Sequence, residues 1–287
     1  MLCFFIFSWY NKPVIVLLTT IFFILGLIIG SFLNVVIYRL NTARSLGGRS
    51  ACMSCKSSLA WYELIPVFSY LGLQGRCKSC KTKISLQYPL VELASGLMFA
   101  ALFLKLYQGG EEIYFWLDPG FVISYIYYAT AFSVLLVIAV YDLRHKIIPD
   151  RLAILLGVLA FLGLFFFQNS YFDVHAPSML EFLSGILIAI PFAFLWLVSF
   201  GKWMGLGDAK LLLGIGWLLG IPLALSGLVI AFWSGAVVGV ALVAASKYGK
   251  IGHMGLSGGM KSEIPFAPFL VLGAFLAFIF GLNIFGI

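Results

Sequence analysis

Four acidic residues of this sequence lie in or beside apolar stretches, where a carboxylate is costly to bury and usually serves ion pairing or chemistry. They are Glu92, Asp142, Asp150 and Asp208. The stretch between Asp142 and Asp208 is long enough for two membrane crossings and a return to the same side. Two carboxyl groups that meet at one depth beside a low-dielectric core cannot both ionise cheaply, and they therefore share a proton. One then acts as a base toward water while the other acts as an acid toward the substrate, which is the chemistry of an aspartic protease.

The stretch "GLGDAK" places two glycines directly before the last of these aspartates. Gly205 and Gly207 have no side chains, so the backbone can unwind here or let an extended peptide approach. A protease that cuts a helical substrate needs such access, because the helix must open before its peptide bond can be attacked. The sequence therefore predicts an active site at Asp208, with Asp142 as its partner.

An alternative interpretation gives these residues purely structural roles. Asp208 and Asp150 would then be helix N-caps, the glycines would form a turn, and Asp142 would pair with a nearby basic side chain. The basic side chains available for such pairing are Arg144, Lys146 and Lys210.

Two C-x2-C pairs, "CMSC" and "CKSC", lie in one polar loop. Each pair supplies two thiolates from a tight turn, and two such turns complete a tetrahedral zinc site with four sulfur ligands. A loop this small buries little apolar surface, so bound metal would supply part of its folding free energy. The alternative is two disulfides or four unused thiols. The predicted structural metal ligands are Cys52, Cys55, Cys77 and Cys80.

Polar residues also interrupt the apolar sequence on both sides of this loop. In "GSFLNVVIYRL", Gly30 permits close helix packing, and Asn34 requires a polar partner. In "ISLQYPLVEL", Glu92 lies about one turn into an apolar helix. This glutamate either serves function or is hydrogen-bonded to Asn34 or Arg39 for packing.

The composition identifies a protein that crosses a membrane several times. The 287 residues are 62% hydrophobic and only 10% charged, whereas soluble domains are nearer one quarter charged. Apolar runs close to the length of a bilayer crossing predict an all-α polytopic membrane protein with about eight transmembrane helices. The runs cover residues 14–38, 87–107, 121–141, 152–168, 179–200, 209–225, 227–246 and 265–286.

Charge predicts the orientation of these helices. Residues 40–86 are strongly basic, with Glu63 as the single acid, so this loop is expected in the cytoplasm and the N-terminus outside. Loops 142–151, 201–210 and 247–264 then fall inside, and loops 108–120 and 169–178 fall outside. The formal net charge of +7 is explained by this topology and by contact with the lipid bilayer, and nucleic acid is not an expected partner.

The predicted organisation has three parts. Residues 1–39 form an N-terminal segment and the first transmembrane helix, and residues 40–86 form a cytoplasmic, zinc-ribbon-like four-cysteine loop domain. Residues 87–287 form a seven-helix membrane core.

These motifs, in this order, resemble those of the type IV prepilin leader peptidases. The matching stretches span residues 30–270 and are "GSFLNVVIYRL", "CMSC…CKSC", "ISLQYPLVEL", "YDLRHKIIPD", "GLGDAKLL" and "IPFAPFL". The GxGD signature also occurs in presenilin-like intramembrane aspartic proteases, but the cysteine loop is typical of the prepilin group.

The resemblance implies a bifunctional enzyme of the bacterial inner membrane. Such an enzyme cleaves the basic leader of type IV prepilins, or of type II secretion pseudopilins, on the cytoplasmic side after a glycine. Many members then N-methylate the new terminal residue with S-adenosylmethionine. The motif match assigns Asp142 and Asp208 as the catalytic pair, and Glu92 and Asp150 are hypothesised to attract the leader.

The cysteine loop departs from the longest family members. The proline usual after "YRL" is Asn41, and Gly75-Arg76 stands where Gly-Lys is common. Methyl transfer is associated with this loop, so Gly75 and Arg76 are the residues proposed here for that activity. A peptidase without methyl transfer is one alternative. The others are a small proton- or ion-coupled transporter that uses intramembrane carboxylates and a non-catalytic scaffold.

Overall fold

The computed structural model describes residues 2–42, 47–107, 118–202, 204–247 and 265–286, and these are mainly helical. The chain divides into two compact units, Met1–Ser133 and Val134–Ile287, with one helix running from the first into the second. The predicted outer loop 108–120 and inner loop 247–264 lie largely outside the described residues.

The first unit contains two long helices and the four-cysteine loop between them. Helix α1 covers Leu2–Arg39, a 3-10 turn covers Trp61–Leu64, α2 covers Phe68–Gly72, and α3 covers Gln87–Leu106. Glycines on α1 allow α3 to approach closely, because a Cβ at Gly30 would lie 2.8 Å from the Cα of Glu92. This close contact confirms the packing role predicted for Gly30.

The second unit continues from the end of α4 (Pro119–His145). It contains α5 (Asp150–Gly163), a short hairpin of β1 (Phe167–Gln168) and β2 (Tyr171–Phe172), α6 (Met179–Ser199), α7 (Leu206–Lys247) and α8 (Ala267–Phe280). In the hairpin, Phe167 pairs with Phe172 in antiparallel register. Helix α7 is central to this unit, because α5, α6 and α8 all pack against it.

Local sequence signals set the ends of several helices. Helix α6 begins at a capping box. The Ser178 hydroxyl accepts a hydrogen bond from the Glu181 N–H, and the Glu181 carboxylate accepts one from the Ser178 N–H. Helix α5 begins one residue earlier than an Asp150 N-cap would require. Pro149 is the N-cap and Asp150 is the first helical residue, so the predicted capping role of Asp150 is wrong.

The sixth and seventh predicted segments form one helical run with a break. The sequence places the boundary at residue 226, whereas the interruption occurs at Gly220, with φ 73° and ψ 171°. This backbone conformation is open essentially only to glycine. Pro222 follows two residues later and cannot donate a helical hydrogen bond, so the break belongs at Gly220.

The prediction of an all-α polytopic membrane protein is confirmed. Five helices among the described residues are long and apolar enough to cross a membrane. All eight predicted apolar runs are helical over most of their length, but α7 joins two of them, and α5 and α8 have 14 residues each. Length alone therefore supports five crossings where the sequence predicts eight.

Candidate active site and metal centre

Asp142 lies buried near the C-terminal end of α4, with 5% of its surface exposed. Its Oδ2 accepts a hydrogen bond from the backbone N–H of Ala267 at 3.3 Å. Ala267 is the first residue of α8, where backbone N–H groups have no partner within the helix and the helix dipole favours a negative charge. A carboxyl group is therefore held in a fixed position by the start of another helix.

Asp208 lies in the first turn of α7 and is half-buried. Its carboxyl group is close enough to that of Asp142 for the two to interact electrostatically. The end of α4 and the start of α7 thus place within electrostatic range the two aspartates that the sequence pairs. The sharing of a proton between these two carboxyl groups stays a prediction.

The two glycines before Asp208 have different surroundings. A Cβ at Gly207 would lie 2.9 Å from the Cβ of Ile148, in the segment between α4 and α5. Among the described residues, the atoms nearest to a Cβ at Gly205 would be Asp208 Oδ2 and the Gly207 backbone N, both at 3.9 Å. Gly207 therefore makes room for the chain's own Ile148, whereas Gly205 adjoins the Asp208 carboxyl group and has no closer neighbour in the part of the chain that the structure describes.

Asp150 pairs with Lys210. The Lys210 Nζ lies 2.7 Å from Asp150 Oδ1, and the two side chains are 40% and 64% exposed respectively. This ion pair joins the first residue of α5 to the first turns of α7. The sequence identifies Lys210 as a candidate partner of an aspartate, and the structure selects Asp150.

Glu92 lies in the first unit, buried on α3 with 7% of its surface exposed. Its Oε2 accepts from the Val67 N–H at 2.7 Å, and the Ser31 hydroxyl donates to the same carboxyl group. The partner of Asn34 is the Tyr88 carbonyl, at 3.0 Å from Nδ2. The sequence offers Asn34 or Arg39 as the packing partner of Glu92. The structure instead gives Glu92 contacts to Ser31 on α1 and to Val67 in the four-cysteine loop.

The four cysteines form one cluster whose sulfur atoms all lie within 4.8 Å of one another. The Sγ atoms of Cys52 and Cys80 are 3.8 Å apart, and all four thiols are free. A tetrahedral site with Zn–S bonds of about 2.3 Å requires sulfur atoms roughly 3.8 Å apart. The donor atoms and their spacing therefore fit a metal ion, and they exclude disulfides in this structure.

The two cysteine turns repeat one another in detail. In each, the first cysteine N–H donates to the carbonyl of the hydroxyl residue five positions on, at 3.0 Å for Ser57 and 2.9 Å for Thr82. Lys56 and Lys81 both have φ 57°, which lets each turn fold back. The metal site is predicted from the cysteines alone, although the longer pattern C-x2-C-K-[S/T] marks both turns.

In each turn, a hydroxyl group contacts the sulfur of the second cysteine. Ser57 Oγ lies 3.0 Å from Cys55 Sγ, and Thr82 Oγ1 lies 3.2 Å from Cys80 Sγ. Hydrogen bonds from the Thr82 hydroxyl, which has the larger effect, and from the Thr82 backbone N–H lower the pKa of the Cys80 thiol to about 6. At neutral pH this sulfur is therefore already a thiolate, which is the form that binds metal.

Gly75 has a conformational role. Its φ is 65°, and a Cβ would lie 2.7 Å from the Tyr70 hydroxyl. Gly75 is buried beneath this ring, whereas Arg76 is exposed. Arg76 is therefore the more accessible of the two residues that the sequence proposes for methyl transfer, and both assignments stay predictions.

Two family models match this chain. The Bacterial Peptidase A24 N-terminal domain matches residues 24–106, which include the four cysteines and Glu92. The Type IV leader peptidase family matches residues 129–240, which include both paired aspartates. No solved structure matches.

Curated relatives named prepilin leader peptidase/N-methyltransferase match over most of the chain. The Bacillus subtilis protein is 31% identical over 264 residues, which are 91% of this chain and 94% of the relative. The Myxococcus xanthus protein is 35% identical over 227 residues, which are 78% of this chain and 63% of the relative. The Vibrio cholerae protein is 32% identical over 210 residues, which are 70% of this chain and 77% of the relative.

Proposed function

This chain belongs to the type IV leader peptidase family, and we propose on that basis that it is a membrane endopeptidase for type IV prepilins or pseudopilins. It removes the leader on the cytoplasmic side after a glycine and then N-methylates the new amino-terminal residue. The names of its relatives carry both activities. The resemblance found from the ordered motifs is confirmed by the family match.

Asp142 and Asp208 are the catalytic pair in this proposal, and one observation carries it. The two carboxyl groups interact although they belong to different helices. One carboxylate takes a proton from water while the water oxygen attacks the scissile carbonyl carbon. The other carboxyl group gives its proton to the carbonyl oxygen. When the tetrahedral intermediate collapses, the C–N bond breaks and the leaving amine takes the proton that the first aspartate received from water. A hydroxyl of the intermediate returns its proton to the second aspartate.

The hydrogen bond from Ala267 gives Asp142 a fixed orientation for this reaction. Because Oδ2 accepts that bond, Oδ1 is the atom left to face water and substrate. The open side of Gly205, next to the Asp208 carboxyl group, is where an extended peptide reaches the pair. Asp142 and Asp208 thus act on one peptide bond from two helices.

The membrane arrangement supports this substrate. A prepilin has an apolar amino-terminal helix that lies in the membrane and a basic leader on the cytoplasmic side. With the N-terminus outside, the ends of α4 and α7 that bear the aspartates face the cytoplasm. In this proposal the enzyme lies in the bacterial inner membrane, and its active site lies at the depth of the scissile bond.

The three-part organisation remains part of the proposal. It comprises residues 1–39 with the first helix, a loop domain over residues 40–86, and a peptidase core over residues 87–287. Glu92, Asp150, Gly205, Gly207 and Lys210 support this site or its substrate, with Glu92 acting through the loop domain that it contacts.

Zn2+ is the metal proposed for the cysteine cluster, where four thiolates would hold it and keep the loop folded. S-adenosylmethionine is proposed as the methyl donor. It would supply the methyl group for the new amino terminus, and the exposed Arg76 is the residue offered for its carboxylate.

A cleavage assay with purified protein in detergent and a prepilin tests the peptidase assignment. Asp142→Asn and Asp208→Asn keep the side-chain shapes but remove the acidic function, and each should reduce cleavage by at least about 10²-fold. Asp173 is an exposed aspartate that follows β2. The variant Asp173→Asn is the matched control and should cleave normally. Full activity in either active-site variant would overturn the assignment. Mass measurement of the product with and without S-adenosylmethionine tests methyl transfer separately.

A further inference from the structure

The four-cysteine loop presents an apolar surface that the peptidase chemistry does not use. The segment 61–72 comprises the 3-10 turn and α2. Its apolar and aromatic side chains are far more exposed than is usual for a small folded domain. They are Trp61 (77% exposed), Phe68 (69%), Leu71 (65%), Tyr62 (42%), Leu64 (41%) and Ile65 (40%). Contiguous exposed apolar patches mark contact with another protein or with a membrane.

The hydrogen bond between Val67 and Glu92 fixes the depth of this segment. Helix α3 begins at Gln87, and its 20 residues match the length of one membrane crossing. Glu92 therefore lies about 7.5 Å along the helix from the membrane boundary. Its side chain leans back toward the start of the helix and accepts from the Val67 N–H at 2.7 Å. Val67, at the centre of segment 61–72, is therefore held at the level of the membrane boundary.

Helix α3 carries an apolar row of its own. Leu86 (64% exposed), Leu90 (61%) and Leu97 (62%) lie along one side of its first half. A row of exposed leucines on a membrane-spanning helix faces lipid. The row therefore supports a membrane-spanning α3, and segment 61–72 lies at the end of the helix where the row begins.

The charges around the segment are those of a lipid-contacting surface. Glu63, the loop's one acid, accepts from the Ala60 N–H at 2.7 Å and so serves the 3-10 turn. Lys78 donates to the Tyr62 hydroxyl at 2.8 Å, which places a cation beside the aromatic residues. Four further basic side chains of the loop are also exposed: Lys56, Arg76, Lys81 and Lys83. Aromatic residues with neighbouring lysines are typical of the membrane–water interface, where anionic head groups attract the cations.

We propose that segment 61–72 is an interfacial membrane anchor, which inserts Trp61, Phe68 and Leu71 among the lipids and holds the four-cysteine loop against the bilayer. The partner is a lipid surface that contains anionic head groups. This inference rests on α3 crossing a membrane and does not depend on the peptidase reaction.

Photocrosslinking in nanodiscs of zwitterionic and anionic phospholipid tests this anchor. The full-length, metal-loaded protein carries p-benzoylphenylalanine in place of Phe68, and a matched protein carries it in place of Lys81, an exposed residue of the second cysteine turn. Mass spectrometry should find several-fold more phospholipid adduct at position 68 than at position 81. Equal adducts at both positions would overturn the anchor. So would a crosslink from position 68 to added prepilin in place of phospholipid, because the surface would then be a substrate-docking site.

Fluorescence quenching provides a second measurement, which does not require the variants to cleave prepilin. Brominated lipids should quench the wild-type emission more than that of Trp61→Phe, because this change removes one lipid-contacting indole. Metal content, measured by zinc release, verifies that the loop of each variant is folded. Identical quenching of the two proteins, with zinc retained in both, would contradict the proposal even if prepilin cleavage were normal.

Discussion

Asp142 on α4 accepts a hydrogen bond from the backbone N–H of Ala267, and this bond joins the end of one helix to the start of another. A main-chain donor cannot be exchanged for a different one by changing its side chain. The carboxyl group therefore has a partner that depends on where α8 begins and on the absence of proline at position 267.

Ala267→Pro tests this relationship. Proline is well tolerated at the first residue of a helix, but it removes the N–H that holds Asp142. Loss of a hydrogen bond to a charged group costs about 1.5–3 kcal/mol, so we expect cleavage to fall at least about tenfold. The helix itself should persist. Ala267→Ser keeps the N–H and should cleave normally, and equal rates for the two variants would show that this bond does not position Asp142.

Gly207→Ala should destabilise the protein through overpacking. The added methyl group would lie 2.9 Å from the Cβ of Ile148, and inserting a methyl into a filled site costs roughly 1–3 kcal/mol. Thermal unfolding in detergent measures this cost. Gly205→Ala is the matched control, since its nearest atoms are 3.9 Å away. Ile148→Ala in the Gly207→Ala background should restore stability, and no recovery would locate the clash elsewhere.

The Asp150–Lys210 pair predicts a charge-swap result. Both side chains are largely exposed, so breaking the pair should change the free energy of unfolding by less than about 1 kcal/mol. If the pair serves to connect α5 with α7, Asp150→Lys should weaken cleavage and the double change with Lys210→Asp should restore it. If Asp150 instead attracts the basic leader, the double variant should stay poor, and an added negative charge in the leader should rescue Asp150→Lys.

Metal retention should depend on pH through Cys80. Its pKa is lowered to about 6 by Thr82, so the thiolate is present above that pH and is protonated below it. Protons compete with the metal for this sulfur, so metal release should rise as the pH falls. Thr82→Val removes the hydroxyl donor and should move the release midpoint to higher pH, as followed with a chromogenic zinc chelator. Thr82→Ser keeps the donor and should match the wild type, and an unchanged midpoint in Thr82→Val would refute the role of the hydroxyl.

The helical plan of the membrane core follows from sequence because hydrophobic length and periodic apolar content are local properties. The starts and ends of α3, α4 and α6 lie within a few residues of their predicted limits. Helix α7 differs because apolar content is continuous across residues 206–247 and contains no signal for a boundary at residue 226. The actual break depends on the left-handed backbone at Gly220, one of several glycines in that run.

The candidate site shows the same contrast between features that the local sequence predicts and features that depend on tertiary packing. The carboxylates and thiols could be identified by type and spacing, because each motif is contiguous. Their partners could not, since Ala267, Val67 and Ile148 contribute a backbone N–H or a methyl group, and such groups have no sequence signature. Gly75 is a similar case, since the motif gives no sign of the Tyr70 ring that lies beside it.

The bond between Asp142 and Ala267 also has a consequence for biosynthesis. Ala267 begins the last described helix and is separated from Asp142 by 125 positions. During translation, α4 is made long before α8, so the nascent Asp142 lacks this donor until the start of α8 has been synthesised. The carboxyl group can therefore gain its final orientation only after α8 has been inserted beside α4.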